Sequence, residues 1–403
     1  MRKTFAVAAL ATALMCGTAL AQQTTIKIGV LTDMNSLYAD DTGIGSVIGA
    51  RMAATEFMKD HPNIKVEVIS GDHQNKADLG VNLANQWFDV DKVDMIADVP
   101  NSGVALAISQ VAAQKNKVFV GSGPASSDLT GAKCNANNVQ WTYDTWMLAN
   151  GTGKAIAKSG GDTWFFITAD YAFGHALERD TAAVVEANGG KVLGKVRAPI
   201  NTNDFSSFLL QAQTSKAKII GLANAGGDTI NSIKQASEFG VMKGGQKLAA
   251  LLFFAGDVAA LGLPTAQGLT FTETFYWDLN DKTRAWTKQW AELRNDKSKW
   301  PTMNHAGTYA GTLHYLKARA AMGGNPDGKA VVAKMKEMPT DDVLFGKGTI
   351  RVDGRKIHPA YLFEVKKPEE SKYPGDFYHL RATIPAEEAF RPLKDGGCAL
   401  VSG

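Results

Sequence analysis

The polar side chains that could do chemistry in this 403-residue chain gather where short β-rich runs give way to amphipathic stretches. These junctions are Asp33 to Thr42, Asp72 to Asn75, Val99 to Gly103, Gly121 to Ser127, Thr168 to Phe173, Asn224 to Thr229 and Phe253 to Asp257. They combine glycines, hydroxyls, amides and aromatics, a mixture suited to gripping a small molecule by hydrogen bonds and ring contacts. In open α/β sheets, ligands bind at the carboxyl ends of the strands, where these junctions fall. Free N–H groups at a helix N-terminus accept a carboxylate without help from lysine or arginine. Asn101-Ser102-Gly103, ahead of an apolar helix, has the composition of such a cup. Ordinary capping by Asn101 or Ser102 explains the same residues equally well. Asn224, Gly226 and Asp228 stand at a later junction of the same kind.

Catalytic and cofactor chemistry finds little support. Gly43-Ile44-Gly45-Ser46-Val47-Ile48-Gly49 resembles a dinucleotide loop, but Ile48 stands where the third glycine belongs and no strand immediately precedes it. Gly323 to Ala330 approaches a P-loop, yet Ala330 lacks the hydroxyl that would coordinate Mg²⁺. There is no Gly-x-Ser-x-Gly elbow and no His-Glu-x-x-His or Cys-x-x-Cys spacing. Asp72-His73 is read as a solvated turn rather than a metal site. No cofactor, no metal and no enzymatic activity are expected. A secreted hydrolase, with Ser126 near Asp128 and a distant histidine brought together by folding, is the alternative of another class.

The elements that must position these junctions follow from periodicity. Runs at Thr25–Leu31, Ile64–Ser70, Asp94–Asp98 and Val118–Gly121 read as strands. Helical patterns at Ile44–Met58, Leu79–Phe88 and Gly103–Gln114 separate them. The alternation restarts with a helix at Ala149–Ser159. Strands at Thr163–Thr168, Lys191–Val196, Ile219–Asn224 and Leu248–Phe254 alternate with helices at Ala172–Ala187, Phe205–Thr214 and Gly227–Phe239. Helices at Thr283–Arg294 and Ala306–Met322 and short strands at Thr349–Val352 and Ala360–Val365 complete the chain. Two such series imply two lobes, each a doubly wound parallel sheet covered on both faces.

Composition is ordinary for a globular protein, with 45% hydrophobic and 21% charged residues. Met1-Arg2-Lys3, the apolar run to Cys16 and Ala19-Leu20-Ala21 form a secretory signal peptide over residues 1–21, cut before Gln22. Without Arg2 and Lys3 the formal charge of +3 falls to +1. That balance argues against nucleic acid as a partner, since binding phosphates needs a clustered basic excess. An exported chain matures where thiols oxidise, and Cys134 and Cys398 are expected to pair and tie down the C-terminal tail.

Ile26-Lys27-Ile28-Gly29-Val30-Leu31, Gly49-Ala50-Arg51-Met52-Ala53, Gly121 to Thr130, Tyr171-Ala172-Phe173-Gly174 and Asn203-Asp204-Phe205-Ser206 stand out together. With these residues the chain resembles the branched-chain-amino-acid-type periplasmic binding proteins of ABC importers, with the type I periplasmic-binding fold. The resemblance spans nearly the whole mature chain. It implies a three-crossing hinge near Tyr143–Trp146, Phe275–Trp277 and Phe345. One lobe would then hold 22–143 plus 277–345, and the other 144–276 plus 346–403. It also implies an inner-membrane ABC permease and ATPase as partners; the signal peptide places the chain in the periplasm, and a monomer is expected because nothing in the sequence marks a dedicated oligomer face. A detachable chemoreceptor partner is a further possibility within the same fold.

By the same resemblance, Pro100-Asn101-Ser102-Gly103 would hold a ligand carboxylate, with Gly123, Ala125 and Ser126 beside it and Phe173 opposite. The family's amino-acid receptors place an acid after the strand at Leu248–Phe254, to pair with the ligand ammonium. Here Phe254 or Ala255 occupies that place, leaving Asp257 or Asp228 to substitute. Tyr38, Tyr143, Tyr171, Phe173 and Phe254 fall at candidate cleft positions, and aromatic walls suit flat ligands. Asp33 to Asp40 and Trp141 to Thr145 further resemble a branch associated with aromatic carboxylates. The expected ligand is therefore an aromatic or other non-amino carboxylate, with a branched-chain or amide amino acid as the alternative.

Overall fold

The computed structural model describes residues 24–296 and 298–401. The signal-peptide reading falls on residues 1–21 and lies outside them. The chain runs β1 (Thr24–Thr32), α1 (Gly43–Asp60), β2 (Ile64–Asp72), α2 (Ala77–Asp89), β3 (Met95–Asp98), α3 (Ser102–Gln114), β4 (Val118–Gly121) and β5 (Asn138–Gln140). These strands form one parallel sheet in the order β2-β1-β3-β4-β5. Ile26, Ile28 and Val30 are buried, as expected of a central strand covered on both faces.

A helical segment then begins at α4 (Thr145–Leu148), loosens into a π turn over Ala149–Gly153 and ends in α5 (Lys154–Lys158). At Gly151 any Cβ would collide with the Thr272 side chain, so glycine permits the close approach. β6 (Thr163–Ala169), α6 (Ala172–Ala187), β7 (Lys191–Ala198), α7 (Ser206–Thr214), β8 (Ile219–Ala223), α8 (Gly227–Glu238) and β9 (Lys247–Ala250) follow. They build a second parallel sheet, ordered β7-β6-β8-β9.

Next come α9 (Ala255–Leu261), α10 (Leu263–Ala266), β10 (Thr270–Glu273), α11 (Asp281–Arg294), α12 (Met303–Met322) and α13 (Gly328–Glu337). The helices α11 and α12 return to the first sheet's side. Trp290 Nε1 donates to the Gly45 carbonyl at 3.1 Å, and Tyr309 Oη to Glu56 at 2.5 Å. The Gly45/Gly49 spacing that suggested a nucleotide loop serves this contact: a Cβ on Gly49 would lie 2.7 Å from the His305 carbonyl. The segment resembling a P-loop is two helix ends, with Gly323 closing α12 and Asp327 capping α13.

The chain closes with β11 (Thr340–Asp342), β12 (Gly346–Ile350), β13 (Lys356–Ile357), β14 (Ala360–Val365), β15 (Tyr378–Ile384) and α14 (Ala386–Ala389). β10, β14 and β15 make a third, antiparallel sheet. Two expectations need correction here. β9 ends at Ala250 rather than Phe254, because the Phe254 N–H turns to Asp257 at the start of α9. β5, β10, β11, β13 and β15 were not anticipated. Beyond Phe345, Arg355 bridges Gln140 and donates to the Tyr143 carbonyl at 2.7 Å, and His358 lies 3.3 Å from the Trp141 carbonyl. From Ala360 the chain pairs with β10. Cys134 and Cys398 are bonded, their Cα atoms 5.6 Å apart.

Candidate functional site

The loop between β1 and α1 is organised around Asp33. This fully buried carboxylate accepts from the Ser36 and Tyr38 amides, each at 2.9 Å, and from Asn75 Nδ2 at 2.7 Å. Burial pushes its pKa up, but these bonds outweigh burial and leave it below the usual value. The loop thereby projects Tyr38 toward the second lobe, where its hydroxyl meets that of Tyr171 at 2.5 Å. At the end of β3, Asp98 and Val99 adopt φ of 75° and 63°. Such values are costly for a β-branched residue and cluster where ligands are clamped. They turn Pro100 into the space between the lobes.

That space is a narrow cavity between the lobes. From the first lobe it is walled by Tyr38, Asp41, Thr42, Pro100, Gly123, Ala125, Tyr143 and Asn304, the last from α12. From the second come Tyr171 and Phe173 at the start of α6, Ala225 after β8, and Leu252 and Phe254 after β9. Tyr143 is held by donating to the Gly123 carbonyl at 2.9 Å.

Of the expected site residues, Tyr38, Gly123, Ala125, Tyr143, Tyr171, Phe173 and Phe254 therefore line one cavity. The other six do not. Asn101 Oδ1 caps α3 through the Gly103 and Val104 amides. Ser102 Oγ accepts from the Ala125 and Ser126 amides at 3.3 and 3.1 Å, and Ser126 Oγ from the Asp128 amide. The cup expected to hold a carboxylate in the first lobe is thus filled by its own side chains. Asn224 is bonded to Thr229 and Ser232. Gly226, at φ 56°, packs under the Leu37 carbonyl. Asp228 accepts from the Asn201 and Thr202 amides at 3.2 and 3.0 Å. Sequence reasoning missed Asp41, Thr42, Ala225, Leu252 and Asn304 as wall residues. Asp41 and Thr42 lie inside a junction already singled out. Asn304 starts a helix far along the chain and carries no local signal.

Among the described residues, no lysine, arginine or histidine lines the cavity. Its field is instead set by buried carboxylates. Burial pushes Asp257 up to about 8, with Glu273 adding to the shift and the Phe254 amide opposing it. Burial, with Asp257 beside it, raises Asp41 well above the ordinary range. Burial likewise raises Asp98 and Asp228 to about 7 each. Between about pH 6.5 and 8 these groups keep protons in the folded state that the unfolded chain has already lost. The folded state then binds more protons, so stability falls as pH rises through that window. His73 and His305, which burial lowers to about 4 and 3, act in the opposite sense but below pH 6.5. Lys356, which burial lowers to about 8, restores stability only above pH 8. The Tm is expected to drop by several degrees from pH 6.5 to 8, and by less in Asp257→Asn. A flat or rising Tm in the wild type would contradict this electrostatic reading.

The hydroxyl pair also yields an expectation. Removing one hydroxyl leaves the other unpaired, which costs about 1–3 kcal/mol, whereas removing both spares most of that penalty. Tyr38→Phe or Tyr171→Phe should therefore speed ligand release more than about fivefold. The double variant should release ligand more slowly than additivity requires. Additive effects in stopped-flow release kinetics would show that the pair does not latch the lobes.

Comparison with known proteins places this geometry in context. The family model described as periplasmic binding protein matches residues 25–372. A crystal structure of a periplasmic binding protein from Burkholderia mallei is 49% identical, with a TM-score of 0.90, covering 93% of this chain and 99% of that one. A branched chain amino acid ABC transporter periplasmic ligand-binding protein from Burkholderia xenovorans LB400 is 37% identical, with a TM-score of 0.81 and the same coverages. An ABC transporter solute-binding protein from R. palustris in complex with 4-hydroxybenzoate is similar in fold. It is 22% identical, with a TM-score of 0.81, covering 90% of this chain and 97% of that one.

Proposed function

We propose, for a chain that belongs to the periplasmic binding protein family, that the interlobe cavity captures a flat, ring-bearing carboxylate in the periplasm and presents it to an ABC permease and ATPase complex. The observation that carries this reading is the aromatic wall contributed by both lobes. Tyr38 and Tyr143 of the first lobe and Tyr171, Phe173 and Phe254 of the second line one narrow space between the lobes. Ring faces of this kind favour offset or edge contacts with a planar ligand. The second-lobe acids support a ligand without an amino group, since Asp228 and Asp257 are engaged by backbone amides. A buried ammonium left without a partner would be costly.

Capture, rather than turnover, fits a wall of ring faces and small side chains, with Thr42 Oγ1 committed to the Tyr38 carbonyl. We place the first lobe at 24–143 and 277–358 and the second at 144–276 and 359–401, with a monomer as the working unit. The structure is a closed form, with Tyr38 on Tyr171 and Leu37 against Gly226. A ligand stabilises that form only by preferring it to an open one. Small-angle scattering tests this: saturating benzoate should shrink the radius of gyration, and an unchanged value would oppose capture by closure. One observation favours the amino-acid alternative, the Asp41 carboxylate in the cavity wall.

A further inference from the structure

Two buried acids approach one another across the boundary between the lobes. Asp41 lies near the end of the loop between β1 and α1 and walls the interlobe cavity. Its backbone carbonyl accepts from Thr302 Oγ1 at 2.7 Å and from Asn304 Nδ2 at 3.2 Å, which ties it to the start of α12 on the first-lobe side. Its carboxyl group meets the other lobe: a Cβ on Gly256, in the first turn of α9, would lie 3.8 Å from Asp41 Oδ1. Asp257, the next residue of that helix, accepts from the Phe254 amide at 2.9 Å. Asp41 is 4% exposed and Asp257 2%.

The groups around this pair do little to neutralise it. The charges that act most strongly on Asp41 are those of Asp257 from α9, Asp40 and Asp33 from its own loop, and Lys299 from the segment before α12. Lys299 is already paired with Asp40 at 2.8 Å. Asp257 in turn feels Glu273 of β10, which accepts from Tyr378 Oη at 3.3 Å, and Asp40. Glu273 and the Tyr143 hydroxyl both feel the Asp41 charge. His305, whose Nε2 lies 2.9 Å from the Thr42 carbonyl, is kept neutral by burial. Among these groups acids outnumber cations, so a charge on Asp41 in the closed form would have neither water nor a free counter-ion.

Parting the lobes undoes this environment. Asp41 stands in the cavity wall, so opening returns water to it and takes Asp257 away. Its carboxyl then ionises as an ordinary aspartic acid does, near about pH 4. We infer that closing the lobes takes up a proton on Asp41, which makes the proton a second ligand of the closed form. This rests on the closure reading above and is tested without any small molecule in the cavity. Where the open form has lost the proton and the closed form keeps it, the closed-to-open ratio must fall about tenfold for each pH unit gained. The linkage is reciprocal, so a ligand that prefers the closed form is retained more firmly in acid and released more readily as pH rises.

The test counts closed and open molecules of the unliganded protein by single-molecule energy transfer. Dyes are placed on Lys76→Cys and Asn203→Cys, exposed positions just beyond β2 and β7, which are edge strands of the two parallel sheets. The native cysteines are bonded to each other and take no label. From about pH 6 to about pH 8 the closed-to-open ratio should fall about 100-fold. In Asp41→Asn, whose amide does not ionise, it should change less than about twofold. An equal ratio at both pH values in the labelled parent would overturn the inference without recourse to a variant. An undiminished fall in Asp41→Asn would overturn it as well. Either result leaves capture by closure standing, since that is read from the shrinkage with benzoate at a single pH.

Discussion

Truncating Phe173 to alanine is expected to weaken binding of an aromatic acid by about 100-fold. The ring is 2% exposed, lies 5.8 Å from the Tyr171 ring and lines the cavity. Large aromatics at the centre of a contact surface typically cost more than about 2 kcal/mol when removed, and each 1.4 kcal/mol is a factor of ten. The same ring belongs to the hydrophobic core, so truncation should also destabilise the unliganded protein by about 3–5 kcal/mol. Phe205→Ala separates the two effects. Phe205 is fully buried in a different cluster of the second lobe and does not line the cavity. It should lose comparable stability and keep its affinity. Equal loss of affinity in both variants, or wild-type affinity in Phe173→Ala, would remove Phe173 from the site.

Opening the Cys134–Cys398 bridge is expected to cost about 2–5 kcal/mol, or roughly 5–10 °C in Tm. The bond links positions 264 residues apart, and loop-closure entropy grows with the loop a crosslink closes. It also pins the tail beside Ser127, whose carbonyl accepts from Arg391 at 2.9 Å. Neither cysteine lines the cavity, so Cys134→Ser with Cys398→Ser should leave ligand affinity unchanged. Calorimetric melting with and without reductant checks the first point. An unchanged Tm would mean that the tail's other contacts hold it unaided.

Why part of this molecule is legible in the sequence can be seen element by element. The central strands were plain because both faces are buried and their middles are short runs without charge, as at Ile219 to Leu222. α6 matched its expected limits because its apolar spacing persists from Ala172 to Ala187. β5 escaped notice because it is three residues long and made of Asn138, Val139 and Gln140, whose side-chain amides donate inside the fold, to the Leu129 and Pro124 carbonyls. Arg355 and Lys356 look like surface charges. Both are fully buried, Arg355 on the Tyr143 carbonyl and Lys356 with its ammonium 5.0 Å from the Trp141 ring centre.

The site divides the same way. Aromatics at strand ends were legible because the sheet dictates where those ends point. Asn101, Ser102 and Asn224 were not, because an amide or hydroxyl at a junction can serve its own backbone or a ligand equally well. Only the three-dimensional arrangement decides between them. Asn304 reaches the cavity from a helix that local pattern cannot assign to any strand end.

The central claim is that this cavity binds aromatic acids rather than amino acids. A thermal-shift panel tests it most directly, because a ligand that binds only the folded state stabilises by about 2.7 kcal/mol at 100 times its Kd. Benzoate and its hydroxylated relatives are expected to raise the Tm by several degrees, while leucine and valine leave it unchanged. A rise with leucine or valine and none with any aromatic acid would contradict the claim and assign Asp41 to a ligand ammonium.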